Sequence, residues 1–153
     1  MLPQFFKILV VNNSGQTITY NNNGRMNLKQ TGVYVTPSTG KLAYTQRPDD
    51  DFAFEAGSSL AYGGTQVADV EFDNTGNLYI NLQVQLEITH DEGASADGTF
   101  DMYLSRGDAT GELEHNASGY DDPESNKLTF IGSLTIPSAA ADDEVFRSPM
   151  FII

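Results

Sequence analysis

The chain has 153 residues, 39% of them apolar, with no Cys and no Trp, a size that suits one domain burying roughly 68–70% of its unfolded surface. Without Cys there are no disulfides and no thiolate metal sites. No apolar run approaches the roughly 18 residues of a membrane span, and a net charge of −13 repels the phosphates of nucleic acid.

Apolar residues recur at period two between clusters of Gly, Asn, Asp, Ser and Pro, with no helical periodicity. This pattern predicts an all-β sandwich or barrel. FKILVV (6–11) is a short apolar strand, NNSG a turn and QTITY its return. The run from Phe5 to Val11 is interrupted by Lys7 and lacks a small-residue cleavage site, so no cleaved signal peptide is expected. VYV (33–35), TPSTG and KLAY read as a second hairpin. PDDD (48–51) is a charged break, and FAF (52–54) and TQVADVEF (65–72) are predicted strands.

DNTGN (73–77) launches the most regular segment of the chain. In LYINLQVQLEITH (78–90), Leu78, Ile80, Leu82, Val84, Leu86 and Ile88 alternate with mostly polar residues. One face is therefore expected in the core and the other in water, each inward side chain contributing about 1.5–3 kcal/mol. The loop HDEGASADG (90–98) connects to TFDMYLSR (99–106), and the two strands are expected to form a hairpin. Residues 107–126 read as a long acidic loop. KLTFIGSLTIP (127–137) is a strand with Leu128, Phe130, Leu134 and Ile136 inward and a bulge near Gly132. VFRSPMFII (145–153) is a terminal strand. Nine or ten strands in all are expected to split into two packed layers.

Charge is divided along the chain. Residues 1–47 carry Lys7, Arg25, Lys29, Lys41 and Arg47 and no acid, or +5; residues 48–153 carry 21 acids against Arg106, Lys127 and Arg147, or 3 − 21 = −18. Such asymmetry points to an interaction surface. Residues 1–47 then read as a basic N-terminal arm or hairpin region, and 48–153 as the acidic core of a single domain spanning 1–153.

No catalytic constellation emerges. The acidic clusters (49–51, 91–97, 121–124, 142–144) are oxygen-rich, as Ca²⁺ requires, but none has EF-hand spacing, and they read as solvated charges. Nothing in the pattern pairs two carboxylates for glycoside hydrolysis. His90 and His115 lie in polar segments, and no G-x-S-x-G elbow is present. RGD (106–108) and the N-x-S triplets at Asn12 and Asn116 are matches too short to carry a reading. Seven Tyr residues leave a carbohydrate site open. So does the amide-rich wet face of Asn81, Gln83 and Gln85, which suits hydrogen bonding to a sugar or to another subunit. No cofactor, no metal and no enzymatic activity are expected.

The runs FDNTGNLYINLQVQLEI, ADGTFDMYLSR, KLTFIGSLTIP and FRSPMFII, with an acidic loop between the second and third, resemble a group of accessory structural proteins of tailed bacteriophages. These are virion proteins of the capsid-decoration or cement type, and the likeness spans residues 66–153. In those proteins the chain continues past the last strand, whereas this sequence ends at Ile153. The resemblance implies a non-enzymatic structural protein on the capsid surface, made in the host cytoplasm. It also implies partnership with the major capsid protein and with copies of itself, commonly as a trimer. The expected fold is a two-layer antiparallel β-sandwich, jelly-roll or immunoglobulin-like. The expected contact comprises Lys7, Arg25, Lys29, Lys41 and Arg47 facing acidic neighbours, with Phe5, Phe6, Met150 and Phe151 packing beside them. Neither nucleic acid nor membrane is an expected partner. The alternative is a carbohydrate- or receptor-binding β-module of a phage tail or adhesin.

Overall fold

A computed structural model describes residues 2, 5–20, 25–46, 50–51, 58–60, 62–67, 72–74, 79–90, 97–106, 128–138 and 144–153. Among them are thirteen strand segments and no helix. They are β1 (Phe5–Asn13), β2 (Ile18–Tyr20), β3 (Arg25–Val35), β4 (Leu42–Gln46), β5 (Asp50–Asp51), β6 (Ser58–Leu60), β7 (Thr65–Val67), β8 (Phe72–Asp73), β9 (Asn81–His90), β10 (Gly98–Arg106), β11 (Thr129–Ile136), β12 (Glu144–Arg147) and β13 (Phe151–Ile152). The expected strand FAF, the acidic loop 107–126, Leu78 and Arg47 lie outside the described residues.

Two antiparallel sheets carry the fold. The first runs β11-β10-β1-β7, with β8 also on β1. The second runs β12-β9-β3-β4, with β13 also on β9 and β5 also on β3. A separate pair joins β2 to β6. The inner faces meet in one sandwich-like core. Phe6, Ile8 and Val10 of β1 and Phe100, Met102 and Leu104 of β10 come from one side. Met26 and Leu28 of β3 and Leu82, Val84, Leu86 and Ile88 of β9 come from the other. Leu9 and Val11 of β1 are also buried, outside that cluster. A strand covered on both faces reads as a continuous apolar run, which is why residues 6–11 lack alternation.

Several expectations are corrected. β9 and β10 are neighbours in sequence but not a hairpin: β9 pairs with β3 from Arg25↔Thr89 to Val33↔Asn81, and β10 pairs with β1 from Phe6↔Arg106 to Asn13↔Thr99. Each carries a fully apolar inner face, so the two lie in opposite layers and share the core. Likewise β1 does not return along β2, which pairs with β6 instead. Asp50 and Asp51, read as a break, pair with Leu28 and Asn27 of β3.

Leu82, Val84, Leu86 and Ile88 of β9, expected inward, are fully buried, but Ile80 just before the strand is exposed and Tyr79 is buried in its place. Asn74 causes the change of phase. Its Oδ1 accepts from Tyr79 N at 2.6 Å and its Nδ2 donates to Tyr79 O at 3.1 Å. The ring then lies over Gly32, where a Cβ would collide with it, edge-on to Tyr34 at 5.8 Å.

The bulge in β11 is present. Met102 opposes Gly132 and Tyr103 opposes Phe130, leaving Ile131 as the extra residue. One added residue flips the side chains before it. Phe130, expected inward, is therefore 57% exposed and packs edge-to-face on Tyr103 at 5.4 Å. The terminal strand is also interrupted. Pro149 has no N–H to donate, and the Ser148 hydroxyl accepts from Leu86 N at 3.0 Å before pairing resumes at Phe151↔Val84.

Candidate interaction surface

The outer face of the six-stranded sheet is built from alternate residues of β12/β13, β9, β3 and β4. Register places Ile152, Gln83, Thr31 and Gln46 in one row, with Asn81, Val33 and Tyr44 in the next. Val35 faces Leu42 beyond them. Leu42 and Tyr44 are 57% and 64% exposed, and Val35 is exposed beside them. The hairpin that carries them is closed tightly: Thr36 N donates to Lys41 O and Gly40 N to Thr36 O, each at 2.8 Å. Gly40 takes a φ of 65°, a left-handed conformation that costs glycine little.

Toward the other end the face is ionic. Glu87 of β9 accepts from Lys29 of β3 at 3.0 Å and from Arg147 of β12 at 2.5 Å. Burial pushes the Glu87 carboxyl up, but hydrogen bonds from Lys29 and Arg147, and their charges, outweigh burial and hold it below the usual carboxylate range. Two cations on one carboxylate leave this cluster at +1 within a chain of −13. Between the ionic and apolar ends lies the amide stripe. Gln85 Nε2 donates to Ser148 O at 2.9 Å. The Oδ1 atoms of Asn27 and Asn81 have no hydrogen-bond partner among the described residues.

The residues expected at a contact do not converge. Phe6 is 1% exposed in the core of its own chain. The β1 backbone at Phe5 pairs with Asp73. Lys7 stands on β1 in the five-stranded sheet, opposite Ser105. Arg25 occupies the β3 position opposite Thr89, two before Asn27 and four before Lys29. Lys29 is tied to Glu87, and Lys41 is exposed at the tip of the β3–β4 hairpin. Met150 is exposed in the link between β12 and β13, whereas Phe151 is half-buried against the core. Residues 1–47 supply β1 and β3, an interior strand of each of the two sheets.

Sequence reasoning missed the apolar end of the face. Its signal was present: LAYTQ (42–46) is an uncharged strand with apolar residues at alternate positions, set between Lys41 and Arg47. The Lys29–Glu87–Arg147 cluster had none, since its members lie 58 and 60 residues apart.

A groove of about 350 Å³ opens at the other sandwich edge, lined by Leu2, Leu104, Arg106, Phe130, Ile131 and Ile152 among others. Among the described residues no three His, Asp or Glu side chains gather as a metal site, and no helix is long and apolar enough to cross a membrane. Comparison with protein-family models, with curated proteins and with solved structures found no match.

Proposed function

We propose that this chain is a non-enzymatic structural protein of a virus particle, a decoration or cement component that binds and stabilises the shell of a tailed bacteriophage. One observation supports the reading above others. In a protein of charge −13, the β3–β4 hairpin carries no acid and exposes Val35, Leu42 and Tyr44 together. An apolar patch rimmed by polar groups marks an interaction site, and an acid-free patch on an acidic molecule is where another acidic surface can approach. Lys41 and the net positive Lys29–Glu87–Arg147 cluster extend that surface. In this reading the partners are the major shell protein and further copies of the chain, gathered as a closed trimer on the outside of the capsid.

For the sandwich itself we propose a jelly-roll wiring in preference to an immunoglobulin-like one. The changes of layer from β1 to β3, β5 to β7, β8 to β9, β9 to β10 and β11 to β12 support it.

Quantitative peptide mass spectrometry on purified particles tests the assignment. A copy number in a simple ratio to the major shell protein is expected. A few copies per particle would move the chain to the tail or connector. Complete absence would end the virion reading.

A second reading, a carbohydrate- or receptor-binding module, draws on the same face. Asn81 and Gln83 lie in adjoining rows with exposed Tyr44, a flat arrangement of amides and an aromatic ring that can hydrogen-bond and stack a sugar. Glycan-array binding that is lost in Tyr44→Ala would favour it over shell decoration.

A further inference from the structure

We infer that the groove at the β11–β13 edge of the sandwich is a binding site for a small amphiphile, an alkyl chain that ends in a carboxylate. Its volume of about 350 Å³ falls at the lower end of the range for small-ligand sites, about 300–1,000 Å³. β10 supplies both ends of its chemistry. Alternate residues of a strand share a face, so Arg106 continues the inward line of Phe100, Met102 and Leu104 and carries it out of the core. Of the residues lining the groove, Leu104 and Leu2 are buried and Arg106 is exposed.

The walls are apolar and already built. β11 supplies Phe130 and Ile131, the extra residue of its bulge, and bulges re-aim side chains beside binding sites. Ile152 and Ile153 come from the other sheet, where Ile153 exchanges both main-chain hydrogen bonds with Leu82, each at 2.9 Å. Phe130 and Ile152 are 57% and 67% exposed, two large apolar side chains standing in water around one concave site. An alkyl chain laid between them takes that surface out of water.

Charge selects the head group. Among the described residues that line the groove there is no acid, and Arg106 is the one charged side chain. Among the described residues that guanidinium makes no ion pair and no hydrogen bond. Its planar fork holds a carboxylate by two parallel hydrogen bonds. The hydroxyl of Thr129, opposite Leu104 in the ladder, can donate a further one. A second copy of the chain does not offer this chemistry. It would need an exposed apolar side chain beside a free carboxylate. Among the described large apolar residues that are exposed, only Val145 adjoins a described acid, Glu144, and Glu144 already has a partner within its own chain. Both belong to a strand laid along β9, which cannot enter a concave site.

The test is a titration of ¹⁵N-labelled intact protein with octanoate, read by amide shifts, with 1-octanol and butanoate as controls. Shifts confined to residues 104–106, 129–131 and 152–153 are expected, with a Kd on the order of 1 mM for a ligand of about ten non-hydrogen atoms. 1-Octanol should bind roughly tenfold more weakly, for want of the charge-assisted pair. Butanoate should bind on the order of a hundredfold more weakly, for want of buried methylenes. Arg106→Gln should erase the preference for octanoate over 1-octanol while the alcohol still binds. Ile152→Asp, at an exposed position, should abolish binding of both. Absence of groove shifts at millimolar octanoate would overturn the inference. So would 1-octanol or butanoate binding as tightly as octanoate, or an Arg106→Gln protein that binds octanoate unchanged. Shifts of equal size at residues 42–46 would show adsorption to any exposed apolar side chain and overturn it. Concentration-dependent broadening of the groove residues without ligand would give the site to a second copy and overturn it too.

Discussion

The ring of Phe151 fills the space where a Cβ on Gly132 would stand. Gly132 belongs to β11 of the five-stranded sheet, and Phe151 to β13 of the six-stranded sheet. This contact closes one edge of the sandwich, and it requires that position 132 have no side chain. Gly132→Ala should force the ring aside and cost about 1–3 kcal/mol, the range for overpacking a fitted site. In a Phe151→Ala background the same substitution should cost much less. A double-mutant cycle by urea denaturation measures the coupling, and strictly additive losses would show that the contact is not shared.

The bulge at Ile131 decides which way its neighbours face. Phe130→Ser should change stability by no more than about 0.5–1 kcal/mol, because the ring is already largely in water. Leu134→Ala, on the inward side of the same strand, should cost about 2–5 kcal/mol. Equal losses in the two variants would place Phe130 in the core and contradict the register.

Asn74 holds Tyr79 by both main-chain groups and is itself buried. Asn74→Ala strands a buried N–H and a buried C=O, a loss of about 1–3 kcal/mol. Asn74→Asp should recover part of it, since a carboxylate still accepts from Tyr79 N but cannot donate. Thermal melts of the three proteins give the order directly.

Glu87 has a folded-state pKa below its unfolded value, which is about 4.3. A depressed carboxylate contributes stability that is fully present above the unfolded pKa and is lost as pH falls through the folded one. The stability difference between the native protein and Glu87→Gln should be constant above about pH 5, at about 0.5–1 kcal/mol, because both cations are partly exposed. It should then shrink toward zero in stronger acid. Salt should reduce it at neutral pH. A difference that grew on acidification would reverse the sign of the argument.

Much of the fold was legible in the chain itself. Alternation in residues 82–88 and 100–104 identified strands with one wet face and named the residues that are buried there. Turn residues placed the β3–β4 hairpin, and Gly132 marked the bulge. These features are local, since period two and turn chemistry act within a few residues. The charge split was legible too, but its geometry was not. Lys7 stands on one sheet and Arg25 and Lys29 on the other because β1 and β3 belong to different layers, and Lys29 finds Glu87 only through a pairing 58 residues distant. Nor could the chain reveal that β9 and β10 lie in opposite layers, that Asn74 reverses the phase at Tyr79, or that Phe130 turns outward. Each of these depends on which strand pairs with which and in what register, and those choices are made by burying apolar faces against one another. That free energy exists only once the layers are together. The place of β4 belongs to both levels: its uncharged alternating residues are written in the sequence, and its position at the end of the sheet order, among the described residues, was decided when β3 paired its other side with β9.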